Sequence, residues 1–103
     1  MKKLLAILLV LCMVIPAAAL GEEVVKIGVY EPATGDSGAG GKQEMLGMQY
    51  ANELFPTVKM GDTEYKVELV YADNGSSSDK APSAAQKLVS ENVSVVLGSY
   101  GSS

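Results

Sequence analysis

The chain has 103 residues with 8 basic and 12 acidic side chains, a net charge of -4, one cysteine and no histidine or arginine. The acidity argues against nucleic acid, where Lys and Arg contacts to phosphate supply most of the affinity. The missing histidines exclude a Ser-His-Asp relay and, with a single thiol, argue against a zinc site.

In chain order, Met1-Lys2-Lys3 is basic, Leu4 to Val14 is unbroken apolar sequence, Pro16 breaks any helix, and Ala17-Ala18-Ala19 are small. This three-part plan predicts a secretory signal peptide over residues 1–21, cleaved after Ala19 or Gly21. The apolar run is about half of the ~20 residues a membrane span needs. Cys12 follows Leu11 inside that run, so it reads as signal core and not as a lipid anchor. The exported part, 22–103, keeps 6 lysines against 12 acids and has no thiol for a disulfide. Its acidity reads as a solvated surface.

Val24 to Tyr30, VVKIGVY, is short, β-branched and apolar, and predicts a strand buried on both faces. Glu31 to Gly41 reads as a glycine-rich loop. Lys42 to Phe55 takes helical period, with Leu46, Tyr50 and Leu54 as the expected buried stripe and Met45, Met48 and Phe55 widening it. Pro56 ends that helix. Thr57 to Tyr65 reads as a polar connection with a Gly61-Asp62 turn, and Lys66 to Ala72 as a second strand. Asp73 to Asp79 is a solvated loop. Ala81 to Glu91 predicts a second helix, with Pro82 in its first turn and Ala84, Ala85, Leu88 and Val89 buried. Asn92 closes it, Val93 to Leu97 predicts a third buried strand, and residues 98–103 form a loop.

This order predicts an α/β fold, a parallel-sheet βαβαβ unit with right-handed crossovers. Ligands of such sheets bind beyond the carboxyl ends of the strands, where strand order reverses. The loops over 31–41 and 98–103 belong at that rim. So small a unit, with open sheet edges and no disulfide, is expected to be the front piece of a longer protein and to fold poorly alone.

The loop Gly35-Asp36-Ser37-Gly38-Ala39-Gly40-Gly41-Lys42 fails the phosphate-binding patterns. Lys42 is one place late for a Walker A loop, Gln43 replaces its hydroxyl, and Asp36 would repel phosphate. The spacing of Asp36, Asp73 and Asp79 matches no calcium loop, so capping or solvation is their expected role. Tyr50, Tyr65 and Tyr71 are expected to pack. Tyr100 lies between residues of a glycine-rich loop, where ligand contact and packing are equally open readings. No metal and no cofactor are called for.

Lys26-Ile27-Gly28-Val29-Tyr30-Glu31-Pro32-Ala33-Thr34-Gly35 resembles the opening of the substrate-binding proteins of branched-chain amino acid ABC transporters. Tyr71-Ala72-Asp73-Asn74 is similar to the end of that family's second strand, and Ala85-Gln86-Lys87-Leu88-Val89 to its second helix. Val95-Val96-Leu97-Gly98-Ser99-Tyr100-Gly101-Ser102-Ser103 resembles its third strand and first ligand loop. The resemblance implies a leucine-binding-protein-like, two-lobed type I periplasmic binding fold, with residues 22–103 as the front of lobe I. It implies a non-enzymatic, exported protein of the periplasm or extracellular space. That protein would capture an amino acid, of the branched-chain class, for ABC permease subunits of the inner membrane, and act as a monomer at full length. Tyr100, Gly101 and Ser102 are the implied ligand-binding residues. The Ser102 hydroxyl and N–H would hold the α-carboxylate, helped by the start of a following helix, and the Tyr100 carbonyl would accept from the α-ammonium. The family's first loop often carries an aromatic residue over the ligand side chain, and Ser37 to Gly41 has none. The alternative reading is a sensor or receptor ectodomain on the same fold.

Overall fold

The computed structural model describes residues 23–102. The predicted signal peptide, with Cys12, lies outside the described residues, as does Ser103. The elements are β1 (Val24–Glu31), α1 (Gly38–Leu54), β2 (Thr57–Met60), β3 (Thr63–Asp73), α2 (Ala81–Ser90) and β4 (Val95–Leu97). They build one four-stranded sheet in the order β2, β3, β1, β4. β1 pairs in parallel with β3, from Val24 opposite Lys66 to Glu31 opposite Asp73. It pairs in parallel with β4 on its other side, from Ile27 opposite Val95 to Val29 opposite Leu97. The expected parallel βαβαβ unit is therefore present, with strand order reversing at β1.

The polar connection over 57–65 is corrected. Thr57–Met60 forms a strand antiparallel to β3, with Met60 opposite Thr63 across the Gly61-Asp62 turn. The sheet is thus mixed. Thr57, Val58 and Thr63 have the branched side chains a pleated edge favours. Periodicity misses this hairpin because every residue of β2 is exposed and none marks a buried face.

Alternation along the strands assigns the faces. Gly28 and Tyr30 of β1 share a side with Val70 and Ala72 of β3. There Leu88 of α2, 1% exposed, and Ala84 complete the core, with Tyr30 and Val93 packed against it. Gly28 lets α2 approach, since a Cβ there would lie 3.1 Å from Leu88 Cδ1 and 3.2 Å from Val93 Cγ2. Ile27, Val29 and Glu31 point to the opposite face, toward α1.

α1 departs from expectation twice. It starts at Gly38, four residues early, and it turns a different side to the sheet. Gly38 and Gly41 are buried and Met45, Met48 and Asn52 half-buried, a stripe at helical spacing. The predicted stripe of Leu46, Tyr50 and Leu54 is 64%, 64% and 55% exposed, and Phe55 72%. The reason is steric. A Cβ on Gly41 would meet Pro32 O at 2.0 Å, so only the glycine side of α1 can come down onto the end of β1. Ala85 and Val89 of α2 are likewise exposed, although Ala84 and Leu88 are buried as expected. β4 is exposed at all three residues, because the helices lie over β1 and β3.

Gly47, by contrast, meets nothing within 4 Å. Gly47→Ala is therefore expected to stabilise the intact protein by about 0.5–1 kcal/mol, the helix-interior penalty of glycine against alanine. A rise in the urea midpoint at unchanged slope checks this.

Candidate functional site

Parallel register brings the carboxyl ends of β1, β3 and β4 to one rim. Glu31 and Asp73 stand opposite each other there, and Leu97 stands opposite Val29 two residues earlier. The loops that follow, 32–37, 74–80 and 98–102, leave the sheet side by side.

Asp73 joins the first two. Its Oδ1 accepts from the N–H groups of Ala33 at 2.8 Å, Thr34 at 3.3 Å and Gly75 at 2.8 Å. Its Oδ2 accepts from Thr34 Oγ1 at 2.7 Å. Burial pushes the Asp73 carboxyl up, but the bonds from Thr34, Ala33 and Gly75 outweigh it and hold the group down at about 2. Asp73 thus holds loop N–H groups and caps no helix, since α2 follows Lys80 with no side-chain cap bond. Ser76 adds two more ties, accepting from Ser37 N–H at 2.9 Å and donating from Oγ to Thr34 O at 3.0 Å.

The third loop is held by two side chains. Buried Asn74 donates from Nδ2 to Ser99 Oγ at 2.9 Å, and Ser99 Oγ donates to Tyr100 O at 3.1 Å. The Tyr100 N–H donates to Glu31 Oε2 at 2.7 Å. Both backbone groups of Tyr100 are thereby fixed. Its ring, 47% exposed, lies against Gly40 at the start of α1, where a Cβ would come within 2.3 Å of Cε1. Gly101 adjoins the first loop, because a Cβ on it would lie 3.1 Å from Ser37 Oγ. Ser102 follows, exposed, at the same rim.

Gly101 is thus brought beside Ser37, with Tyr100 and Ser102 on either side of it in the chain. Tyr50 and Tyr71 are exposed, so the packing role expected of them is not found. Among the described residues, no group of three His, Cys, Asp or Glu side chains converges on a metal-sized space. Apolar grooves of about 760 Å³ beside α2 and β4 and about 600 Å³ between α1 and the sheet lie away from residues 98–102. They lack the convergent polar groups that orient a small polar ligand.

Sequence reasoning missed Glu31, Asn74, Ser76 and Ser99. Glu31 carried a signal, since an acid directly after an apolar strand and before Pro32 sits where the chain is still buried. The others are small polar residues in loops, and nothing in their order says which loop they will bridge.

The profile of the periplasmic binding protein family matches residues 24–103, which is every element of the sheet and both helices. The chain belongs to the periplasmic binding protein family. Among solved structures it is similar to a leucine-binding protein, LivK, from Thermotoga maritima, at 39% sequence identity and a TM-score of 0.64. The likeness covers 73% of this chain and 21% of that one, so the chain spans about a fifth of the length of the structure it resembles. No curated protein matches it. The mixed α/β sheet is that of a leucine-binding-protein-like periplasmic binding fold.

Proposed function

We propose that residues 22–103 form the front of lobe I of an exported solute-binding protein, and that its solute is an amino acid of the branched-chain class delivered to ABC permease subunits of the inner membrane. The reading rests on one observation above the rest. The loops after β1 and β4 meet at the reversal point of the sheet, with Ser37 beside Gly101. Ligands of open α/β sheets bind at that point. The LivK likeness favours a leucine-like solute.

In this reading the Ser102 hydroxyl and N–H donate to the α-carboxylate, bonds strengthened by the ligand's charge. The Tyr100 carbonyl accepts from the α-ammonium, and Gly101 lets the solute approach the backbone. Asp73 and Ser76 keep the first loop from drifting, so little ordering entropy is lost on binding. Residues 1–21 direct export and are removed.

The test is calorimetric titration of the intact protein with L-leucine. Ser102→Ala is expected to weaken binding about tenfold, about 1.5 kcal/mol, the scale of one hydrogen bond to a charged group. Equal affinity in the two proteins would remove Ser102 from the site.

A further inference from the structure

We propose that Glu31 is a positioning residue for the ligand loop, acting through the Tyr100 N–H, and that it makes docking of residues 98–102 weaken as pH rises. The inference rests on the reading that this loop holds the solute, but its first test does not.

Glu31 is 1% exposed at the end of β1. One carboxyl oxygen, Oε2, accepts the Tyr100 N–H at 2.7 Å. The other, Oε1, is buried without a hydrogen-bond partner among the described residues. The loop lies directly over this carboxyl. Gly98 passes so close that a Cβ on it would lie 2.9 Å from Glu31 Oε1. Ser99 is tied down by Asn74, and Tyr100 is seated on Gly40. When the loop lifts, Glu31 meets water. When it docks, the carboxyl loses that water and receives a single bond in return.

Among the described residues, no cation is paired with Glu31 to offset this cost. The charged groups that face Glu31 are Glu44 from α1 and its register partner Asp73 on β3, both acids, while residues 98–102 carry only the Tyr100 phenol. Asp73 is already engaged by Ala33, Thr34 and Gly75. Burial pushes the Glu31 carboxyl above its ordinary value, the Tyr100 N–H opposes this, and Glu44 pushes it further up. Burial outweighs the Tyr100 bond, so a loop that covers the carboxyl as it docks strengthens its hold on a proton. The docked loop's stability from this source is complete below the ordinary value of 4.5 and is lost as pH rises through the raised value. A solute that needs the docked loop inherits the same dependence.

The experiment follows amide exchange at Tyr100 in the intact protein, corrected for intrinsic rate, from about pH 5 to about pH 8. Glu31→Ala removes the acceptor and is expected to lower Tyr100 protection about tenfold or more. Glu31→Gln keeps an acceptor oxygen without a charge. It should restore protection and abolish the fall with pH that the wild type displays. L-leucine affinity should follow the same pattern, falling with pH in the wild type and staying flat in Glu31→Gln. Unchanged protection in Glu31→Ala, or a wild-type pH profile in Glu31→Gln, would overturn the proposal. If L-leucine fails to bind the wild type, the functional reading falls, and Tyr100 protection still decides the role of Glu31.

Discussion

Gly98→Ala is expected to cost the intact protein about 3–5 kcal/mol and to abolish docking of the ligand loop. Two penalties coincide at this residue. Its φ of +128° lies where side-chain-bearing residues are strained, a cost of about 1–3 kcal/mol. In addition, the new Cβ would lie 1.9 Å from Tyr30 O and 2.9 Å from Glu31 Oε1. A flexible side chain could yield, but Tyr30 O belongs to a strand paired on both sides and cannot move without loosening β1. Residues 98–102 must swing away instead, which breaks the Tyr100 bond to Glu31 and the Ser99 bond to Asn74. Urea denaturation should give a markedly lower midpoint, and amide exchange should find Tyr100 unprotected. A midpoint equal to that of the wild type would mean that this loop is not seated on β1.

Asp73→Ala should cost about 2–3 kcal/mol at neutral pH, because a single carboxylate accepts from Ala33, Thr34 and Gly75. The cost falls below the sum of four charged hydrogen bonds because the residue is exposed and water replaces part of what is lost. Asp73→Asn should cost less, since its remaining oxygen can still accept from Ala33 and Gly75. The pH dependence has a definite sign. The folded carboxyl sits at about 2 against an ordinary 3.8, so its contribution is present above 3.8 and is lost as pH falls through 2. The gap between wild type and Asp73→Ala should therefore close across that acid window. Stability curves for both proteins at several pH values would reveal it, and a constant gap would show that the carboxylate charge does not matter. This dependence runs opposite to that of Glu31, whose contribution is lost as pH rises above 4.5 through its raised value. The rim thus has two carboxylates, each the last residue of its strand, shifted in opposite directions, Glu31 upward by burial and Asp73 downward by its hydrogen bonds.

Much of the fold was legible because its strands are short apolar runs and its helices are closed by Pro56 and Asn92. The rim was legible too, since parallel strands must put their following loops on one edge. Burial was less so. α1 is apolar on two sides, one through Met45 and Met48 and the other through Leu46, Tyr50 and Leu54. Period alone cannot choose between them. The choice fell to Gly41 against Pro32, a contact between a helix and a loop that no local pattern encodes.

The order of residues by itself determined the alternation of strand and helix, the family, and the placing of Tyr100, Gly101 and Ser102 after the last strand. Each follows from local signals or from topology. Tertiary structure alone decided that Glu31 lies beneath Gly98 and holds the Tyr100 N–H, that Asp73 ties two loops, and that β2 adds an antiparallel edge. These features join residues as many as 69 positions apart. Whether a carboxylate is solvated, capped or trapped depends on what the folded chain lays over it, and that becomes fixed only when the sheet has formed.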